Sequence, residues 1–216
     1  MNIAFPLYDD VTQLDFTGPV QVLSRLPGAS VHLVSESLQP IRTDSGFAVV
    51  PTTTFADCPP ANVICVPGGP GIANACGDNA LLSFVAQQAK TATWITSVCT
   101  GFFVLGKLGL TNNRNATTHW GYTHLIEKFG AKYVKGRFVI DGNVITGGGV
   151  TAGIDFGLYL AAQIAGEDTA KLIQLALEYD PDPPFAGGHP DRAASDAIES
   201  LRPRYARVAE NLLGTL

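Results

Sequence analysis

The run Ile95-Thr96-Ser97-Val98 stops at Cys99, and the small residues Thr100-Gly101 then open the apolar stretch Phe102-Phe103-Val104-Leu105. A β-branched run that turns sharply into an apolar helix is the building unit of a parallel sheet. A thiol at that corner lies beside backbone N–H groups that have no intrahelical partner and carry partial positive charge. Such surroundings favour the thiolate, which is the nucleophilic form. The pattern Ser97-x-Cys99-x-Gly101 has the spacing of a nucleophile elbow, with Cys in place of Ser. A buried structural cysteine is the competing reading, because free Cys is among the most buried residue types.

The rest of the chain repeats the same alternation. Apolar runs at 2–8, 30–35, 63–66 and 93–98 predict strands. Segments 16–26, 79–90, 100–108, 120–129, 151–165 and 169–179 predict helices, with Pro19 in the first turn of its helix, where a missing N–H costs little. Asp44-Ser45-Gly46 and Asp141-Gly142-Asn143 predict hairpins. A last helix carries Ile198, Leu201, Tyr205, Val208 and Leu212 three and four apart, and Pro203 within it predicts a kink or a late start. Strands alternating with helices predict an α/β fold, a mostly parallel sheet covered on both faces. No linker splits residues 1–216, so one domain is expected. In such sheets reactive groups gather outside the carboxyl ends of the strands.

Charged residues make up 15% of the 216 and the net charge is −5, which argues against a nucleic-acid partner. No apolar run reaches bilayer length, so no membrane span is expected. The start Met1-Asn2-Ile3-Ala4-Phe5-Pro6 has no basic leader region. The four cysteines form no Cys-x-x-Cys pair and no zinc spacing with the histidines, which predicts reduced thiols, a cytoplasmic location and no metal.

Three other segments reach the carboxyl edge that holds Cys99. Asp15, expected just before a helix start, reads either as a carboxylate favoured by the helix dipole or as a general acid beside the thiol. A carboxyl and a thiol packed together cannot both ionise cheaply, so one proton would be shared. Gly68-Gly69 permits close backbone approach, and the Gly69 N–H reads as a donor to developing negative charge or as part of a tight turn. Thr100 offers its backbone N–H as an oxyanion donor and its hydroxyl to substrate or water. His119 reads as a base for Cys99 or, more in keeping with its place beside a helix start, as hydrogen-bonded structure. His32, His124 and His189 read as surface or helix-face residues.

Taken in order, Asp15-Phe16-Thr17-Gly18-Pro19, Val66-Pro67-Gly68-Gly69, Ser97-Val98-Cys99-Thr100-Gly101, Asn115-Ala116-Thr117-Thr118-His119-Trp120 and Gly147-Gly148-Gly149-Val150-Thr151 resemble the DJ-1/PfpI superfamily. Cys99-Thr100-Gly101 is similar to its isonitrile hydratase branch. The resemblance implies a flavodoxin-like sandwich, a homodimer and a cofactor-free reaction on a small isocyanide. Cys99 would attack the isocyanide carbon, Asp15 would supply the proton, and water assisted by Asp15 or Thr100 would release an N-substituted formamide. Phe16, His119, Trp120 and Val150 are then candidates for the substrate pocket. Protease-like members carry His directly after the cysteine, and Thr100 stands there instead. Two other readings follow from the same resemblance: a glyoxalase-like enzyme, and a ligand- or redox-sensing domain related to the sensor modules of AraC-type regulators.

Overall fold

The computed structural model describes residues 1–216. Strands β1 (Asn2–Pro6), β2 (Ser30–Ser35), β3 (Ile41–Arg42), β4 (Ala48–Val49), β5 (Thr53–Thr54), β6 (Val63–Val66), β7 (Trp94–Ser97), β8 (Asn115–Ala116), β9 (Lys132–Tyr133), β10 (Phe138–Asp141) and β11 (Val144–Gly147) occur in that order. The helices are α1 (Gln13–Leu23), α2 (Ile72–Gly77), α3 (Asn79–Ala89), α4 (Phe102–Lys107), α5 (Ala152–Ala165), α6 (Glu167–Ala176) and α7 (Ser195–Leu213).

The main sheet has seven strands in the order β10-β11-β7-β6-β1-β2-β5. All its pairings are parallel except the β10–β11 hairpin at one edge. The expected α/β architecture therefore stands. Every residue of β6 is buried, as its unbroken apolar run requires for a strand covered on both faces. Helix α1 packs on α5 and α5 on α6, while α2 packs on α4 and α7. Small residues bring α1 and α5 close: a Cβ added at Gly153 would lie 2.9 Å from Pro19 Cδ. Phe5, Phe16, Phe102, Phe103 and Phe156 are among the largest fully buried side chains. No helix is long and apolar enough to cross a membrane.

Several local expectations are corrected. Helix α1 begins at Gln13, so Asp15 lies inside its first turn and Pro19 in its interior. Proline there removes a backbone donor to the Asp15 carbonyl. The segment Trp120–Phe129 keeps its predicted bounds but winds as a 3-10 helix. Helix α7 starts at Ser195 and runs through Pro203, which excludes a late start. Helix α2 and the two-residue strands β5, β8 and β9 lie outside the predicted elements, being too short to show a period.

Candidate active site

Strand β7 lies between β6 and β11, and its carboxyl end leads through extended Val98 into a 3-10 turn over Cys99–Gly101 and then into α4. Cys99 has φ +56°, a left-handed conformation that costs a non-glycine residue about 1–3 kcal/mol. Two contacts hold it there. Its N–H donates to the Gly148 carbonyl at 2.8 Å, and its carbonyl accepts from the Thr118 hydroxyl at 2.6 Å. The turn also needs a residue without a side chain: a Cβ at Gly101 would sit 2.1 Å from the Val66 carbonyl oxygen. The glycine two residues after the cysteine is therefore required by the passage of the corner over the end of β6.

Asp15 is fully buried, and its Oδ2 accepts from the Gly68 N–H at 2.8 Å. Its Oδ1 is buried without a hydrogen-bond partner, and the carboxyl and the Cys99 thiol shift one another's ionisation. Gly68 makes this convergence possible, because a Cβ there would lie 2.5 Å from the Thr100 nitrogen and 2.9 Å from Asp15 Oδ2. The Gly69 N–H, named from sequence as an oxyanion donor, instead donates to the Thr100 hydroxyl at 2.9 Å. Thr100 is itself buried; its hydroxyl also donates to the Gly69 carbonyl at 3.3 Å, and its backbone N–H favours the anionic form of Cys99.

The electrostatics differ from the sequence expectation. Burial pushes the Asp15 carboxyl well above the ordinary carboxylate range, against the Gly68 N–H, which pulls it down. Burial likewise raises the Cys99 thiol, and the Asp15 charge raises it further, while Thr100 opposes this. The corner supplies the expected donors, but desolvation outweighs them, since water is the better solvent for either anion. The pair therefore holds its protons tightly, and the loss of one opposes the loss of the second.

A cavity of about 320 Å³ adjoins this corner, and both residues that hold the Cys99 backbone, Thr118 and Gly148, line it. His119, Trp120 and Val150 line it as well. Phe16 does not; its side chain is packed in the core. The thiol is nearly covered, with Cys99 6% exposed. His119 Nδ1 accepts from the Gly121 N–H at 3.2 Å, and its ring packs on Tyr205 of α7 with centroids 5.1 Å apart. Burial, followed by the charge of Arg204, lowers its pKa to about 4. A neutral ring with Nδ1 accepting carries its proton on Nε2, so it offers a donor and no free base. His124 is exposed and His32 half-buried beside Asn2, while His189 joins the cavity wall.

Sequence reading singled out Gly68 only together with Gly69, and passed over Thr118 and Gly148 as working groups. Each sits inside a quoted motif, and only its hydrogen bonding distinguishes it from its neighbours.

A model of the DJ-1/PfpI family matches residues 1–163. The chain belongs to the DJ-1/PfpI family. This family member is 51% identical over 206 residues to an isonitrile hydratase of Pseudomonas putida, covering 95% of this chain and 90% of that protein. The match agrees with the branch that the motifs imply. Among solved structures, a ThiJ/PfpI family protein from Pseudomonas syringae is similar at TM-score 0.96 and 38% identity, over 99% of this chain and 89% of that one. The HTH-type transcriptional regulator GbdR of Pseudomonas aeruginosa is 25% identical over 187 residues. That alignment takes in 83% of this DJ-1/PfpI chain and 51% of the regulator.

Proposed function

We propose that the protein is an isonitrile hydratase that converts an isocyanide and water into an N-substituted formamide, with Cys99 as nucleophile and Asp15 as proton carrier. The observation that carries this reading is the 51% identity with isonitrile hydratase over 95% of the chain. The buried Asp15–Cys99 pair gives it a mechanism.

In that mechanism the reacting form is the pair that has given up one of its two protons, with the remaining proton on Asp15 and Cys99 a thiolate. The sulfur forms a bond to the terminal carbon of R–N≡C while the Asp15 proton moves to that same carbon, giving the thioimidate R–N=CH–S–Cys99. Water then adds: its oxygen bonds to the carbon, and one proton reaches nitrogen. The carbon–sulfur bond breaks, the hydroxyl proton returns to Asp15, and R–NH–CHO leaves. One negative charge is conserved throughout, passing from the sulfur to Asp15 and back, and the same carboxyl gives and recovers the proton. An acid kept neutral by burial suits this task, because it donates without first waiting for a proton from solvent. Thr100 holds a donor on the sulfur throughout. The reaction as written needs no cofactor.

Incubation of the purified protein with a simple alkyl isocyanide should yield the matching formamide, followed by mass spectrometry. Methylglyoxal offered in parallel should remain unconsumed. Turnover of methylglyoxal with no formamide from the isocyanide would replace this reading by the glyoxalase-like one.

We also propose that the protein works in the cytoplasm as a homodimer. All four cysteines are free, which suits a reducing compartment. Leu172 and Leu175 of α6 are 67% and 77% exposed, apolar surface of the kind that subunits cover. Light scattering on a gel-filtration peak should give twice the protomer mass; a monomer at micromolar concentration would rule the dimer out.

A further inference from the structure

The Cys99–Thr100 peptide unit is held at both ends. Its carbonyl accepts the Thr118 hydroxyl at 2.6 Å, in a place where Thr118 is 3% exposed. Its N–H belongs to Thr100 and acts on the Cys99 sulfur. A peptide whose carbonyl accepts a strong hydrogen bond becomes a better N–H donor at its other end, because the two polarise together. The same bond fixes the plane of a peptide that follows a left-handed residue at φ +56°. Thr118 reaches this position because the chain that follows β8 returns along the cavity wall, nineteen residues after the corner.

We propose that Thr118 is a positioning residue for Cys99: its hydroxyl, bonded to the Cys99 carbonyl, orients and polarises the Cys99–Thr100 peptide so that the Thr100 N–H stabilises negative charge on the sulfur. Thr118 does not act on the sulfur directly in this account. It acts through the peptide. The inference rests on Cys99 being the reacting thiol, but not on the substrate being an isocyanide.

The groups coupled electrostatically to the thiol are Asp15 on α1, Thr100 in the corner itself, Tyr8 after β1, Tyr122 in the 3-10 helix and Tyr205 on α7. All of these remain when Thr118 alone is changed, so a shift in the behaviour of the thiol reports the Thr118 hydroxyl. Four proteins decide the matter: wild type, Thr118→Ser, Thr118→Val and Thr118→Ala. The measurement is the rate of Cys99 alkylation by iodoacetamide as a function of pH, read by peptide mass spectrometry.

Thr and Ser, which carry the hydroxyl, should share one midpoint. Val and Ala, which lack it, should move together to a midpoint higher by about half to one pH unit, or about three- to tenfold less thiolate at a fixed pH below it. With an isocyanide as substrate, kcat should fall in Val and Ala and be kept in Ser. Sorting by shape, with Val beside Thr and Ala beside Ser, would overturn the proposal, as would four coincident midpoints. If Thr118→Val does not fold, the Ser and Ala pair still decides. Absence of Cys99 alkylation in every variant at every pH would overturn the nucleophile reading and this inference with it.

Discussion

Replacing Cys99 by Ala is expected to abolish formamide production while leaving the fold intact. The loss should be on the order of 10⁴-fold or more, because the covalent route disappears and no neighbouring side chain can take its place. His119 cannot substitute, since its Nδ1 is occupied by the Gly121 N–H. Thr100 cannot either, since its hydroxyl is bonded to both the N–H and the carbonyl of Gly69. The fold should survive because the left-handed turn is held by the Cys99 backbone, through Gly148 and Thr118, and Ala keeps that backbone. The cost in stability should be about 1 kcal/mol, the transfer value of one small buried group. Steady-state formamide assay together with a thermal melt checks both halves. Undiminished turnover in a folded Cys99→Ala protein would end the covalent mechanism.

Asp15→Asn should separate two properties that normally move together. Turnover should drop by about 10²–10⁴-fold, the usual worth of a positioned proton donor. The thiol should nevertheless become easier to ionise. Cys99 is raised first by burial and then by competition with Asp15, which opposes the thiolate whenever the carboxyl is the group that ionises; the amide removes that competition while leaving the burial. The midpoint of Cys99 alkylation should therefore move to lower pH. A thiol that is more often ionised in a much slower enzyme is not what loss of structure produces. Asn can also accept the Gly68 N–H through its side-chain oxygen, so the contact that holds the β6–α2 connection is retained. A midpoint that rises would contradict the electrostatic account, and full turnover in Asp15→Asn would remove the acid from the mechanism.

Much of the frame was legible because it rests on short-range pattern. The alternation of apolar runs with helical periods yields the α/β sheet. The unbroken run at 63–66 becomes a strand buried on both faces, and Asp141-Gly142-Asn143 turns the hairpin of β10 and β11. The strand–Cys–helix corner is where it was expected. Less legible were elements whose stability comes from neighbours. Trp120–Phe129 has apolar spacing that suits an α-helix and a 3-10 helix alike, and packing against α4 and α7 decides between them. Helix α2 is rich in small residues, and nothing in Ile72–Gly77 alone marks it as helical. Pro19 points to a helix start near Phe16, whereas α1 begins at Gln13, and Thr12 before it gives its hydroxyl to Asp44 instead of capping the helix.

The sequence by itself determined where the reactive atom stands in the chain and which residue types accompany it: a thiol at a strand end, a carboxyl near the first helix, glycines at the close approaches. Only the tertiary structure decided what those groups are to one another. Gly68 rather than Gly69 meets the carboxyl, across 53 residues of chain, and Thr118 rather than His119 holds the cysteine. It also decided the proton. Local pattern places a helix start beside the sulfur and so favours the anion, whereas the fold removes water from sulfur and carboxyl together. Desolvation depends on everything packed around a group, so no spacing of residues along a chain can encode it.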